Sequence, residues 1–262
     1  MKTTIKSMMV IALCIVSSSA AFAQKNRTQA LINAALHGWE YEIKAGVSIG
    51  GSAPLPLPRE IRSIDSYNPT LAISLEANAT KWFGETKQWG VITGVRFENK
   101  NMTTKATTKN YSMEIISYDG NRMKGNWTGG VETKVRNAYV TIPVLAGYRL
   151  SNRVNLKAGA YVSYLMDGEF SGQVYDGYLR EGDPTGDKIN FRDGAIATYD
   201  FSDDLRNFAW GLQAGVDWKA FKHLKVFADL TWGLNDIFQK DFETVTFSMY
   251  PIYLNVGFGY AF

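Results

Sequence analysis

Apolar and polar residues alternate with a period of two along most of the chain, which predicts β-strands with two different faces. In the first segment Tyr41 and Ile43 share one face, whereas Glu42 and Lys44 share the other. Seven further segments repeat this pattern, and each is about as long as a tilted strand that crosses a bilayer. The eight segments are Trp39–Gly50, Thr70–Phe83, Trp89–Asn99, Val135–Leu150, Val154–Tyr164, Phe208–Trp218, Leu224–Gly233 and Ile252–Phe262.

The predicted connections are alternately short and long. The short ones are Gly84–Gln88, Ser151–Arg153 and Lys219–His223, and the long ones are Gly51–Asn68, Lys100–Lys134, Asp167–Asn207 and Leu234–Pro251. Outer-membrane barrels have short periplasmic turns and long extracellular loops. The sequence therefore predicts an all-β fold, an eight-stranded antiparallel transmembrane up-and-down β-barrel with four long extracellular loops. A soluble barrel or sandwich with the apolar faces in its core is the alternative. The segment Asn110–Tyr118 is expected to continue the third strand as a raised hairpin.

One short turn allows the register of a strand pair to be predicted. If Phe83 pairs with Trp89, Glu76 lies directly opposite Arg96 on the polar face. Opposite charges across neighbouring strands attract each other, and more strongly where water is scarce. A charge inside a barrel can find a partner, whereas a charge that faces lipid costs a few kcal/mol near the midplane. The polar face is therefore predicted to be the interior.

A second short turn gives another predicted register. If Trp218 pairs with Leu224, the facing polar residues are Asp217 with Lys225 and Gln213 with Asp229. An eight-stranded barrel has an interior just wide enough for side chains. A paired polar network with a structural role, and no open pore, is expected there: Glu76, Arg96, Lys157, Asp217, Lys225 and Asp229. A catalytic or gating role for the cluster is the alternative.

Aromatic residues stand at the ends of the apolar faces. They are Phe83, Trp89, Trp218 and Phe262 at the end with the short turns, and Phe97, Tyr164, Trp210 and Trp232 towards the other. Two such girdles are typical of the interfaces of a membrane barrel. Contact with outer-membrane lipid is therefore expected.

The N-terminus has the features of a secretory signal peptide. Lys2 and Lys6 precede an apolar run, and Ala21-Phe22-Ala23 is a small-x-small cleavage site. The predicted organisation is a signal peptide at 1–23, a periplasmic segment at 24–38 and a barrel at 39–262. A lipoprotein with a lipidated Cys14 is the alternative.

Composition and charge narrow the possible functions. Cys14 is the only cysteine and lies in the predicted signal peptide, so the mature chain is expected to have no disulfide and no cysteine metal site. Without Lys2 and Lys6, the 28 Lys+Arg become 26 against 25 Asp+Glu, a net charge of +1. This near-balance gives no support to nucleic-acid binding. After the signal peptide, no apolar run is long enough for a transmembrane helix.

The C-terminus and three internal stretches resemble known outer-membrane sequences. Phe258-Gly-Tyr260-Ala-Phe262 resembles the C-terminal signal read by the barrel assembly machinery, which implies recognition through Phe258, Tyr260 and Phe262. The internal stretches resemble the PorT-like outer-membrane β-barrel family of Bacteroidota. These stretches are Ala138–Tyr148, Lys157–Leu165 and Trp232–Ile237. The resemblance implies the barrel fold, and the namesake takes part in secretion of exported proteins. This chain has Ala160 and Thr141 where the family usually has Pro and Glu.

The expected function is that of a non-enzymatic outer-membrane barrel that engages a protein partner or surface ligand through its loops or periplasmic side. His37 and His223 would both face the periplasm, the wrong end for known outer-membrane hydrolases, and no metal-ligand spacing or cofactor motif stands out. A Ca²⁺ site at Asp183, Asp187 and Asp193 is the alternative to a solvated loop. An accessory component of a secretion or transport complex and an outer-membrane hydrolase are the alternative functions.

Overall fold

The computed structural model describes residues 38–117, 120–242, 244–245 and 247–262. The predicted signal peptide, His37 and nearly all of segment 24–38 lie outside these residues. Ten strands and one 3-10 helix (Ser202–Asp204) are present in the described part. The strands are β1 (Trp39–Pro54), β2 (Ile61–Asn68), β3 (Ile73–Phe83), β4 (Trp89–Ile116), β5 (Arg122–Arg149), β6 (Val154–Glu181), β7 (Lys188–Asp200), β8 (Phe208–Lys219), β9 (Leu224–Gly233) and β10 (Met249–Ala261). No helix in these ranges is long and apolar enough to cross a membrane.

Eight of the strands form a closed antiparallel ring, in the order β1, β3, β4, β5, β6, β8, β9, β10 and back to β1. The predicted eight-stranded barrel is therefore confirmed. Closure of the ring leaves no free sheet edge at the level where all eight strands pair with both neighbours. The two remaining strands lie off the ring, because β2 pairs with β4, and β7 pairs with β6 and touches β4.

The two faces of the ring strands differ as the alternation predicts. Leu75, Val95 and Leu212 point outwards and are 52%, 41% and 51% exposed, whereas Glu76 and Arg96 point inwards and are 4% and 1% exposed. A continuous apolar belt of this kind requires non-aqueous surroundings or a partner. The soluble alternative, with the apolar faces buried in a core, is therefore wrong.

Three ring strands run far beyond the belt. β4, β5 and β6 are each 28 residues long. The part of β4 beyond Asn99 extends about 55 Å along the strand at roughly 3.3 Å per residue. The prediction of long loops at Lys100–Lys134 and Asp167–Asn207 is thus largely wrong, whereas the expected continuation of the third strand is confirmed as far as Ile116. We call this projecting part, formed by the upper halves of β4, β5 and β6 with β2 and β7, the extension.

The alternation changes its polarity where the extension begins. In β4 the outward residues turn from Phe97 to Thr103 and Lys105, while the inward side carries the buried Met102 and Met113. Register shifts also interrupt the ladders, for example where β4 and β5 pass from one pair to the next beyond Thr108. The series of outward apolar residues therefore ends at the top of the belt, although the strand itself continues.

The extension has an apolar core of its own. Its sheet curls until Thr198 of β7 pairs with Ile116 of β4. Rings from several elements meet inside it, with Trp127 5.5 Å from Phe191 and Phe170 4.9 Å from Phe238 between centroids. Phe238 belongs to the connection before β10, which contributes to the same core. The extension is therefore a folded unit.

The two predicted registers have different outcomes. Phe83 pairs with Trp89, and Glu76 lies opposite Arg96, as predicted. The second register is wrong by two residues, since Trp218 pairs with Val226.

The physical reason is the position of the turn. The main-chain N–H groups of Ala220 and Phe221 both donate to the carbonyl of Leu224, so the turn forms one residue later than predicted. As a result Asp217 lies opposite Phe227, and Asp229 lies opposite Gly215. A shift of two residues keeps every side chain on its face.

Candidate functional site

The first half of the interior network is built around Arg96. Its guanidinium Nη1 lies 3.1 Å from Glu76 Oε2, and its Nε lies 3.3 Å from Glu98 Oε2. Both Nη atoms donate to Gln213 Oε1 at 3.2 Å, which ties β4 to β8 across the barrel. Asn78 donates a hydrogen bond to Glu76. One buried arginine therefore contacts two carboxylates and one amide oxygen inside the barrel.

The second half of the network is built around Lys157. Its Nζ lies 2.6 Å from Asp217 Oδ1 and 2.8 Å from Asp229 Oδ1. Lys44 Nζ reaches the same Asp217 oxygen at 3.2 Å. Two cations and two carboxylates from β1, β6, β8 and β9 therefore meet inside the ring.

Lys225 lies nearer the short-turn end than the rest. Its Nζ donates to Glu42 Oε2 at 3.0 Å, and its side chain is 12% exposed. The predicted partner of Lys225, Asp217, binds Lys157 and Lys44 instead. The six predicted residues are all inside the barrel, but their pairing follows the true register.

Several members of the network were not predicted as site residues. Glu42, Lys44 and Glu98 belong to polar faces that the alternation had identified, so the shared face was the available signal. The sequence places Lys100 in a predicted loop, although it continues the inward series after Glu98. With them, the described interior holds five cations and five carboxylates, which are Lys44, Arg96, Lys100, Lys157, Lys225, Glu42, Glu76, Glu98, Asp217 and Asp229.

Lys100 separates the polar network from the apolar core above it. Its Nζ lies 3.4 Å from Glu98 Oε1 and also 5.3, 5.1 and 5.7 Å from the ring centroids of Tyr139, Tyr161 and Tyr253. A cation over aromatic faces is attracted by the ring quadrupoles. These three rings and Lys100 form a layer across the barrel.

The remaining candidates for chemistry are engaged in local structure. His223 lies in a short turn, with Nδ1 2.8 Å from the carbonyl of Ala261 and its ring stacked 5.4 Å from Tyr260. Asp183 accepts hydrogen bonds from the backbone N–H and hydroxyl of Thr185, which hold the pKa of this carboxyl below its usual value. Asp193 lies where no side chain is described. Among the described residues, no group of three His, Cys, Asp or Glu is arranged to hold a metal ion.

The apolar belt is bordered by exposed aromatic rings at both ends. At the short-turn end Trp89 is 61% exposed, and at the opposite end Tyr164 is 56% exposed. The other members of the two predicted girdles are also exposed: Phe83, Trp218, Phe262, Phe97, Trp210 and Trp232. Such rings occupy the two interfaces of a membrane.

A sequence model of the outer membrane protein beta-barrel domain matches residues 22–239, more than half of the chain. The chain belongs to this family. It is an outer-membrane protein. The belt of this outer-membrane barrel therefore faces lipid, its short turns face the periplasm and its extension is extracellular. None of the curated proteins matches this sequence.

Solved structures of outer-membrane barrels are similar to the chain. A major outer membrane protein from Thermus thermophilus is 16% identical with a TM-score of 0.39, covering 86% of this chain and 100% of that one. Ail, the attachment invasion locus protein of Yersinia pestis, is 11% identical with a TM-score of 0.36, covering 86% and 97%. The outer membrane protease OmpT from Escherichia coli is 14% identical with a TM-score of 0.30, covering 86% and 97%.

The position of the belt can be tested with a charge placed on the lipid-facing side. Ala214 points outwards near the middle of β8. Ala214→Arg is expected to lower the free energy of unfolding in lipid vesicles by about 2–4 kcal/mol, because a cation at the midplane loses its hydration. Denaturant titration of the reconstituted barrel measures this loss.

Ala220→Arg is the matched control, because Ala220 lies in the periplasmic turn. Its expected cost is about 0–1 kcal/mol. Equal costs at the two positions would contradict the assignment of the outward face to lipid.

Proposed function

We propose that this protein is a closed, non-enzymatic outer-membrane barrel that binds a protein or surface ligand with its extracellular extension. The observation that carries the proposal is a long folded extension with its own apolar core, above a barrel whose interior holds paired charges. Strand extensions of this length present a surface well above the membrane. Binding sites commonly lie on segments that a rigid scaffold positions in this way.

The filled interior argues against a role as a pore. Arg96, Glu98 and Lys157 are each at most 4% exposed and are held by ion pairs from several strands. Opening a path would require these charges to separate in a medium of low polarity, which costs several kcal/mol for each ion. A ligand is therefore proposed to be bound outside rather than transported.

The tip of the extension has the chemistry of a binding site. Lys188 Nζ lies 3.8 Å from the ring centroid of Tyr178, and the guanidinium of Arg180 lies 5.8 Å from it. A hydrogen bond with Thr128, together with these cations and Lys109, holds the pKa of Tyr178 below its usual value. Tyr and Arg are enriched among the few residues that contribute most of the binding energy at protein interfaces. Positive charge around an aromatic ring favours a ligand that carries negative charge.

Photo-cross-linking on intact cells tests this proposal. A photoreactive amino acid at position 178 is expected to yield adducts, whereas one at Phe221, which is 72% exposed in a periplasmic turn, yields none. Arg180→Glu with Lys188→Glu should reduce the adducts about tenfold or more, because like charges then oppose an anionic ligand.

The matched control is Arg153→Glu, which reverses a charge in another periplasmic turn and should leave adducts at position 178 unchanged. Adducts that form only at position 221 would contradict the proposal and favour a periplasmic partner instead.

A second candidate function is that of an accessory component of a secretion or transport complex, as in the PorT-like family of Bacteroidota. The internal stretches quoted above favour it, and so does the basic surface at the periplasmic mouth. There a depression of about 410 Å³ is lined by Arg149, Arg153, Lys219 and Lys222. Adducts at position 221 with a secretion component are the result that would support this function.

We also propose that the barrel assembly machinery recognises the end of β10. Phe258, Tyr260 and Phe262 are 61%, 50% and 71% exposed on the outward face. This arrangement leaves the three rings accessible along the last strand, where the C-terminal signal is expected to be read.

A further inference from the structure

The barrel wall has a lateral gap just above the belt, between β1 and β2. Among the described residues, the end of β1 is paired with β10, from Gly50 with Tyr253 to Pro54 with Met249. β2 pairs with β4, and no ladder joins β1 to β2 in the described part of the sheet. The Tyr67 hydroxyl donates to the carbonyl of Gly50 at 2.6 Å and spans the gap at one point.

An apolar cavity of about 370 Å³ lies at this gap. Side chains from β2, β4, β10 and the segment before β10 line it, among them Ile61, Met102, Ala106, Tyr111, Phe247 and Met249. No charged residue takes part in the lining, and its polar groups are hydroxyls and backbone. This volume lies within the usual range for ligand pockets, which are mostly apolar.

The cavity is continuous with the lipid-facing belt. Leu71 and Ile73 stand at the top of the belt beside the gap and are 73% and 56% exposed. Higher up, Ile64 and Leu57 are 57% and 56% exposed, and both also line the cavity. An apolar track therefore leads from the outer leaflet, along the rim of the gap, into the cavity.

We propose that this cavity binds one acyl chain, which enters laterally from the outer leaflet through the gap between β1 and β2. A sugar or a charged ligand would lose its hydration there without gaining enough hydrogen bonds. An extended hydrocarbon chain has no such cost, suits an apolar lining and is already present at the belt. The site is distinct from the surface around Tyr178, so this inference goes beyond the proposed function and can fail separately from it.

The test uses the reconstituted protein and a phosphatidylcholine with a diazirine at the end of one acyl chain. Photolysis in proteoliposomes is expected to label peptides that contain Met102, Phe247 or Met249, as well as belt residues such as Leu75. Ala106→Phe should reduce cavity labelling about tenfold or more. Its ring would occupy the space of several methylene groups of the acyl chain, and each buried methylene contributes about fourfold to affinity. Belt labelling should not change, and it reports that the variant is folded in the membrane.

Thr103→Phe is the matched control, since Thr103 lies on the same strand but does not line the cavity. It should leave both kinds of labelling unchanged. Labelling confined to the belt in the unmodified protein would overturn the proposal.

A second arm uses the same diazirine on a free fatty acid, with the protein held in an amphipathic polymer. Cavity labelling in both arms supports the proposal. Labelling by the free fatty acid alone would overturn lateral entry of a membrane lipid. If Ala106→Phe does not insert, Ala106→Leu fills less volume and should give a smaller reduction in the same direction.

Discussion

Arg96→Ala is expected to lower the free energy of unfolding of the barrel by about 3–5 kcal/mol. Arg96 is 1% exposed and contacts Glu76, Glu98 and Gln213 at 3.1–3.3 Å. Without the guanidinium, two carboxylates remain close together in a space with little water, and neither has lost its burial. Urea titration in lipid vesicles, followed by tryptophan fluorescence and by the gel mobility of unboiled samples, measures the change.

The matched control for this variant is Arg136→Ala. Arg136 also forms an ion pair with a glutamate, Glu169 at 3.5 Å, but its side chain is 63% exposed on the outer surface. Its removal is expected to cost about 0–1 kcal/mol, as for most exposed ion pairs.

Planar-bilayer recordings give an independent readout of the same interior. The unmodified barrel is expected to show no steady conductance, because its charges fill the space between the strands. A steady conductance from the unmodified protein, or equal costs for the two arginine variants, would contradict a closed interior network.

Trp127→Ala is expected to destabilise the extension by about 3–5 kcal/mol, the usual cost of removing a large aromatic side chain from a core. Trp127 is fully buried, contacts Phe191 and donates from Nε1 to the carbonyl of Gly130 at 3.2 Å. Because the apolar core of the extension is separate from the charged lumen, the loss should be local. Proteolysis on intact cells is expected to cleave the extension faster, while the gel mobility of the unboiled barrel stays unchanged.

Trp232→Ala is the matched control, because Trp232 is 49% exposed at the outer girdle. It removes the same side chain from a lipid-facing position and should leave the protease resistance of the extension as it was. If Trp127→Ala instead abolishes the compact form of the barrel on gels, the extension and the barrel do not fold as separable units.

The interior network contains pairs that a strand register determines and pairs that only the closed ring determines. Glu76 opposite Arg96 was predictable because Gly84–Gln88 connects two strands whose end residues pair directly. The contact of Asp217 with Lys157 and Lys44 was not, because it depends on a turn that forms one residue later and on strands that are distant in sequence. The residues that share a face can be predicted from the sequence, whereas the ion-pair partners on opposite strands are known only once the ring is closed.

The sequence by itself determined that the chain forms eight strands with an apolar outward face and a charged inward face. It did so because a period of two is a local property of each strand, and because lipid and lumen select opposite residue types.

Only the tertiary structure decided where β4, β5 and β6 end. Beyond the membrane the outward side meets water, so the polarity of the alternation inverts and a continuing strand looks like a loop. Only the ring likewise decided that β1 and β2 part above the belt, since that gap arises from pairing between segments far apart in the chain.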